Sequence, residues 1–75
     1  MDDEWKMLHS FEYIWLEINE KGQIRTGDDV VHDPVYDPEL GEWRVIIPRE
    51  DDDDLELSPV WFVKQQFNKE WKPNG

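Results

Sequence analysis

The sequence predicts an α+β protein in which a small antiparallel sheet of about three strands is covered on one face by a C-terminal helix, in the order β-β-β-α. Two segments, 13–18 and 42–48, alternate apolar and polar or aromatic residues with the period of a strand. A Ser-Pro pair at 58–59 then precedes apolar residues at helical spacing. The chain has 75 residues, a length that supports one domain. We expect a lead-in over 1–10, an acidic sheet with its loops over 11–57, and the helix over 58–72.

The first predicted strand leads into a hairpin. Ile14, Leu16 and Ile18 alternate with Tyr13, Trp15 and Glu17. Both faces of this strand therefore carry apolar residues, and the strand is predicted to be central. Asn19 and Gly22 then flank a polar pair, which is typical of a tight turn. We therefore expect a returning strand over 23–26, with Gly22 at positive φ.

The middle of the chain is predicted to be a loop followed by a strand. Residues 30–41 contain Pro34 and Pro38, and proline cannot donate to a β-ladder, so this segment is predicted to stay outside the sheet. The strand pattern returns over 42–48. Leu55 and Leu57 are placed to form a short edge strand.

The helix prediction rests on its first residues. Ser58 is a favourable N-cap and Pro59 suits the first helical position. An apolar stripe follows at i, i+3 and i+7 and continues one turn further; its members are Val60, Val63, Phe67 and Trp71.

Five tryptophans supply much of the large apolar surface of this small chain. We predict that those within elements, Trp15, Trp43 and Trp61, pack in the core. The packing of Trp5 and Trp71, near the termini, stays open.

The composition limits the possible partners. The chain carries 19 acidic and 8 basic side chains, for a net charge of −11, and such a chain is repelled by nucleic acid. It has no cysteine, which excludes disulfides and thiolate metal sites and favours a reducing compartment. No apolar stretch reaches the roughly 18 residues that span a membrane, and the acidic N-terminus is unlike a signal peptide. We expect a cytoplasmic protein with basic partners.

Several short motifs resemble those of a known family. They are Glu4-Trp5-Lys6, Phe11-Glu12, Ile18-Asn19, Gly22, Ile24, Val63 and Phe67. Together they resemble the modular DNA-binding domain that precedes the HNH nuclease domain in phage-type homing endonucleases, and the resemblance covers nearly the whole chain. It implies a small α+β scaffold that binds DNA.

This chain departs from the family in its charges. Where the family's helix begins with His and Arg, Val60 and Trp61 stand here, and where its strands and loops are basic, this chain is acidic. The nuclease part is missing, and the two histidines, His9 and His32, lack the metal and base residues of an HNH site. The resemblance therefore implies the scaffold with its DNA-binding charge reversed.

The candidate metal and catalytic groupings of this chain also have plainer interpretations. The acidic run 50–54 does not fit an EF-hand loop starting at Asp51, because Glu56 stands where that loop needs glycine. His32 lies among Asp28, Asp29 and Asp33, a grouping that suits either a divalent ion or a merely exposed histidine, and we favour the latter. No serine-nucleophile, phosphate-loop or Walker-type motif is present. We therefore predict no enzyme activity, no metal and no cofactor.

The predicted site is a protein-binding surface made of acidic loops and one tyrosine. Carboxylates on extended segments recur about every 6.6 Å on one side, a spacing that can approximate a row of phosphates. The predicted partner-binding residues are Asp28, Asp29, Asp33, Tyr36, Asp37, Glu39, Glu50, Asp51, Asp52, Asp53, Asp54 and Glu56.

The leading hypothesis is a small non-enzymatic protein, of phage or mobile-element type, that binds and inhibits a nucleic-acid enzyme such as a CRISPR effector or a restriction enzyme. It would act on a basic surface as a DNA mimic, in the host cytoplasm, without a small-molecule substrate. One alternative is a structural or accessory phage-type module whose acidity serves solubility. Another is residual nucleic-acid binding through a basic patch of Arg25, Lys64, Lys69 and Lys72.

Overall fold

The computed structural model describes residues 4–8 and 14–73. In this part of the chain, seven short strands precede one helix. The strands are β1 (Lys6–Met7), β2 (Leu16–Ile18), β3 (Ile24–Thr26), β4 (Val31–His32), β5 (Val35–Asp37), β6 (Glu42–Ile47) and β7 (Leu55–Leu57), and the helix is α1 (Pro59–Phe67). The strands form two antiparallel sheets, so the predicted α+β class with a C-terminal helix is confirmed.

The first sheet has the strand order β1-β2-β3-β4, with β2 in the predicted interior position. Cross-strand pairing of Ile18 with Ile24 places two fully buried side chains on one face. The turn between β2 and β3 is built by Asn19, whose Oδ1 accepts hydrogen bonds from the backbone N–H groups of Lys21 and Gln23, both at 3.0 Å. Gly22 has φ +82°, which confirms the predicted left-handed position.

The second sheet has the order β5-β6-β7, with β6 in the middle. Because side chains alternate along a strand, β6 directs Trp43, Val45 and Ile47 to one face and its other three residues to the opposite face. Val45 and Ile47 are buried, so the first face is the inner one. We call the opposite face, which carries Glu42 and Arg44, the outer face of the second sheet.

The prediction that residues 30–41 form only a loop is wrong, because β4 and β5 lie within this segment. Both are edge strands that pair on one side only. Pro34 lies between them and Pro38 follows β5, so neither proline occupies a position within a strand. The prolines thus limit the length of these strands without preventing them.

The helix begins as predicted and ends earlier. Ser58 is the N-cap, and its side chain accepts a hydrogen bond from the backbone N–H of Trp61. Asn68 adopts the left-handed conformation with φ 55° and ends the helix at Phe67, whereas the prediction extended it to residue 72. Asparagine tolerates this conformation, which makes it an effective helix terminator. Among the described residues, no helix is long and apolar enough to cross a membrane.

One hydrophobic cluster joins both sheets and the helix. Its buried members are Leu8, Leu16, Ile18, Ile24, Val45, Ile47, Leu57, Val63 and Trp71. The helix contributes Val63, whereas Val60 of the predicted stripe is 46% exposed.

The prediction for the tryptophans is wrong at two positions. Trp15 is 56% exposed and Trp61 is 54% exposed, while Trp71 is buried. Trp15 precedes buried Leu16, so it points to the opposite face, and Trp61 lies about 200° around the helix from the buried residues on either side of it. Trp43 is half-buried, with its ring in edge contact with those of Tyr36 and Trp71 at centroid distances of 5.6 Å.

Candidate interaction surface

The predicted site residues occupy three places in the fold. Asp28, Asp29 and Asp33 flank β4 in the first sheet. Tyr36, Asp37 and Glu39 belong to β5 and its turn into β6. The remaining six lie in the connection from β6 to β7 or on β7; they are Glu50, Asp51, Asp52, Asp53, Asp54 and Glu56.

The acids of the first sheet take part in local turn structure. The Thr26 hydroxyl donates a hydrogen bond to the Asp28 carboxylate, and this contact is the main reason why the pKa of Asp28 is lowered. Asp29 has φ 65° and donates its backbone N–H to the Thr26 carbonyl at 3.0 Å. The Asp33 carboxylate accepts from Gln23 Nε2 at 2.7 Å. All three acids are exposed, but each has a structural partner.

The grouping of His32 with these acids does not form a metal cluster. Within residues 4–8 and 14–73, no three or more His, Cys, Asp or Glu side chains come together in a way that could hold a metal ion. His32 itself is half-buried on β4.

The hairpin of β5 and β6 presents both an acid and an aromatic ring. Asp37 Oδ1 accepts hydrogen bonds from the backbone N–H groups of Glu39 at 2.9 Å and Leu40 at 3.3 Å, which holds the turn. Tyr36 is 52% exposed. Its ring contacts Trp43 edge-on, so it is oriented by the fold and still open to a partner.

The connection from β6 to β7 carries the densest negative charge. Residues 50–54 are all exposed, and Arg49 is the nearby cation: its Nε donates to the Asp53 carbonyl at 3.0 Å, and its guanidinium lies 4.0 Å from Asp52. In the described part of the chain, the carboxylates of Asp51, Asp53 and Asp54 have no ion-pair partner. Their charges therefore face solvent.

The acids of the second sheet lie at its two ends. The turn over 38–41 precedes β6 and residues 48–54 follow it, so the whole length of β6, about 17 Å, separates the two acidic groups. The register pairs Asp37 with Glu42 and Glu56 with Ile46, which places these three carboxylates on the outer face. Carboxylates on one face of the second sheet therefore lie between its two acidic loops. The acids around β4 belong to the other sheet.

Sequence reasoning missed an apolar groove beside this surface. It has a volume of about 530 Å³ and lies between the start of α1 and the β5–β6 hairpin. Its lining residues are Gly41, Glu42, Trp43, Ser58, Val60, Trp61 and Lys64. The run of four apolar residues Val60-Trp61-Phe62-Val63 was the available signal, because successive helical residues lie about 100° apart and a run of four cannot all face the core.

Two members of the predicted basic patch are engaged with acids. Arg25 forms an ion pair with Glu17 at 3.0 Å, and its guanidinium lies 4.4 Å from the centre of the Trp5 ring. Lys69 pairs with Glu20 at 3.0 Å. These contacts reduce the positive charge available for nucleic acid.

No protein-family model, curated protein or solved structure matches this chain.

Proposed function

We propose that this chain is a non-catalytic protein that binds a basic, nucleic-acid-binding surface of an enzyme and blocks it. The observation that carries the proposal is the pair of exposed acidic groups, one at each end of the second sheet, on a chain with a net charge of −11. Such a field repels nucleic acid and accelerates encounter with a basic protein.

Exposed aromatic rings favour a protein as the partner. Tyr36 and Trp61 are each more than half exposed, and each is held by an edge contact with a neighbouring ring. Tyrosine and tryptophan are enriched among the residues that dominate the energy of protein interfaces. Charge would then direct the approach, and these rings would slow dissociation.

The spacing of the acids favours a nucleic-acid enzyme as the target. Acidic groups about 17 Å apart along one sheet face can contact separate basic residues of a cleft that normally holds phosphates. The resemblance to a DNA-binding module with reversed charge supports the same class of target. Host nucleases of the CRISPR or restriction type, met in the cytoplasm of the host, are the enzymes we propose.

The test begins with capture of partners from a host lysate on the immobilised protein, followed by release with rising salt. A retained nucleic-acid enzyme is then titrated against this protein in the presence of duplex DNA. We expect mutual exclusion of DNA and this protein, and weaker binding as salt screens the charges. A retained partner that binds DNA and this protein at the same time would contradict the proposal.

A pair of variants with matched charge locates the surface. Asp53→Asn with Asp54→Asn removes two charges from the β6–β7 connection, and Glu4→Gln with Glu70→Gln removes two elsewhere. We expect the first variant to bind the partner about tenfold more weakly at low salt, and the second to bind nearly as the wild type. Equal affinities would favour the alternative in which acidity serves solubility.

A further inference from the structure

One wall of the groove beside the acidic surface is built from helix residues that the core does not bury. Helix α1 is anchored by Pro59 and Val63, which are buried, while Val60 and Trp61 turn away from the core and line the groove. Val60 and Trp61 are each about half exposed, so they form a solvent-exposed apolar wall on a very polar molecule. Contiguous exposed apolar surface of this kind marks interaction sites.

The walls of the groove are held in place before any partner arrives. Trp61 contacts the Phe62 ring edge-on at 4.9 Å between centroids. On the opposite side, Trp43 is held between the rings of Tyr36 and Trp71. Trp71 is fixed in turn by its indole N–H, which donates to the Lys21 carbonyl at 2.6 Å. A preformed site loses little conformational entropy when it binds.

The charges around the groove indicate what kind of segment enters it. The hairpin side carries Glu42 in the lining, with Asp37 and Glu39 on the same hairpin, whereas Lys64 is the one cation among the lining residues. Arg44 neutralises Glu42 in part through a 2.6 Å ion pair, but Glu39 is exposed and has no ion-pair partner among the described residues. A second copy of the chain is an unfavourable occupant, because each copy carries −11.

We propose that this groove binds an apolar side chain carried by a basic segment of the partner, and leucine is the side chain used to test it. This inference rests on the proposed function and adds to it a specific anchor. The apolar side chain lies between Trp43 and Trp61, and the flanking basic residues face the carboxylates of the β5–β6 hairpin.

Three synthetic peptides test the anchor against the whole 75-residue chain. The first has a central leucine flanked on each side by an arginine and a lysine; the second has alanine at the centre; the third keeps the leucine and replaces the basic residues with glutamate. Affinities are measured by NMR titration at about 20 mM and about 200 mM NaCl, and the indole N–H signals report which tryptophan is contacted.

We expect the wild type to bind the basic leucine peptide about tenfold more tightly than the alanine peptide, because the methyl groups of leucine leave water. Trp61→Ala and Val60→Ser should each reduce this preference to less than about threefold. Trp15→Ala is the matched control: this tryptophan is similarly exposed but immediately precedes β2 of the first sheet and does not line the groove, so the variant should keep the full preference. The amide spectrum of each variant verifies its fold.

The outcomes separate the anchor from the proposed function. Equal affinity of the wild type for the leucine and alanine peptides, or a leucine preference that survives in Trp61→Ala, would overturn the anchor while leaving salt-dependent binding of both basic peptides intact. Binding of the acidic peptide as tight as that of the basic one would instead refute the proposed function. Failure of the basic leucine peptide to bind the wild type at all would count against both.

Discussion

Among the glycines of the described structure, Gly22 has the least space for a side chain. It has φ +82°, and a Cβ added there would lie 2.4 Å from Trp71 Nε1 and 3.0 Å from Pro59 Cβ. The glycine therefore leaves the space in which the indole reaches the Lys21 carbonyl. One residue in the first hairpin thereby determines how the end of the chain packs on the core.

Substitution of this glycine should be costly for two separable reasons. We expect Gly22→Ala to lower the free energy of unfolding by about 3 kcal/mol, through left-handed strain and loss of the Trp71 contact. Gly41→Ala is the control, because Gly41 also has positive φ but an added Cβ there meets only the Tyr36 hydroxyl at 3.9 Å. It should cost about 1 kcal/mol in urea denaturation. Equal losses would show that the space beside Trp71 is not limiting.

The turn between β3 and β4 predicts a pH effect. The Thr26 hydroxyl bonded to the Asp28 carboxylate holds the pKa of Asp28 below its usual value of 3.8. Because the folded pKa lies below the unfolded one, this contact stabilises the fold above about pH 4, and the contribution is lost as the pH falls through the folded pKa.

Thr26→Val removes the hydroxyl and keeps the β-branched shape. We expect the pKa of Asp28 to rise toward 3.8, measured by NMR titration of its carboxyl carbon. The loss of stability should be present at neutral pH and absent well below pH 3.8. An unchanged pKa of Asp28 in the variant would contradict this account.

At the scale of elements, local sequence signals located most of the regular structure. The β2–β3 hairpin, β6, β7 and the helix start at Ser58 were all predictable, because each depends on alternation, turn residues or capping within a few positions. The strands β1, β4 and β5 were missed, β1 because residues 1–10 were predicted to be a lead-in to the sheet. Their pairing depends on neighbours rather than on local propensity, and proline next to an edge strand is compatible with it.

The N-cap offers a direct test at this scale. Ser58 Oγ accepts the backbone N–H of Trp61 at 3.3 Å, so Ser58→Ala should lower the free energy of unfolding by about 1 kcal/mol. Ser58→Thr keeps the acceptor oxygen and should cost clearly less. A loss of the same size in both variants, measured by thermal unfolding, would mean that the cap contributes little.

At the scale of the whole molecule, charge is distributed unevenly. Residues 1–56 contain 18 acids and 5 bases, whereas residues 57–75 contain one acid and three bases. The sheets and their connections therefore carry the negative field, and the helix lies on its weaker side. The groove of Trp43 and Trp61 lies at the boundary between these regions.

This imbalance predicts a response to salt in the isolated protein. Raising NaCl from about 10 to about 200 mM should increase the free energy of unfolding by about 1 kcal/mol, because screening relieves repulsion among the acids. A variant in which Asp51, Asp52, Asp53 and Asp54 are replaced with Asn should respond less. If salt destabilised the wild type, attraction within ion pairs would outweigh this repulsion.

The candidate site was predictable in composition but not in arrangement. Tyr36 and all the predicted acids except the half-buried Asp37 are exposed, as a surface role requires, and charge alone indicated that for the acids. Their division between two sheets, with Asp37, Glu42 and Glu56 brought to one face, depends on strand register. Strand register is set by contacts between residues that are far apart in the sequence, so the pattern of a single segment does not specify it.

The sequence by itself determined the α+β class, the first hairpin, the start of the helix and the strongly negative charge, since each follows from composition or from residues a few positions apart. Only the tertiary structure decided which tryptophans are buried. Trp71 packs in the core, where its indole N–H donates to the carbonyl of Lys21, fifty positions away, while Trp61 stays at the surface because the helix is anchored at Pro59 and Val63. Burial is a property of the packed molecule, because a side chain is removed from water only by neighbours that the fold brings to it.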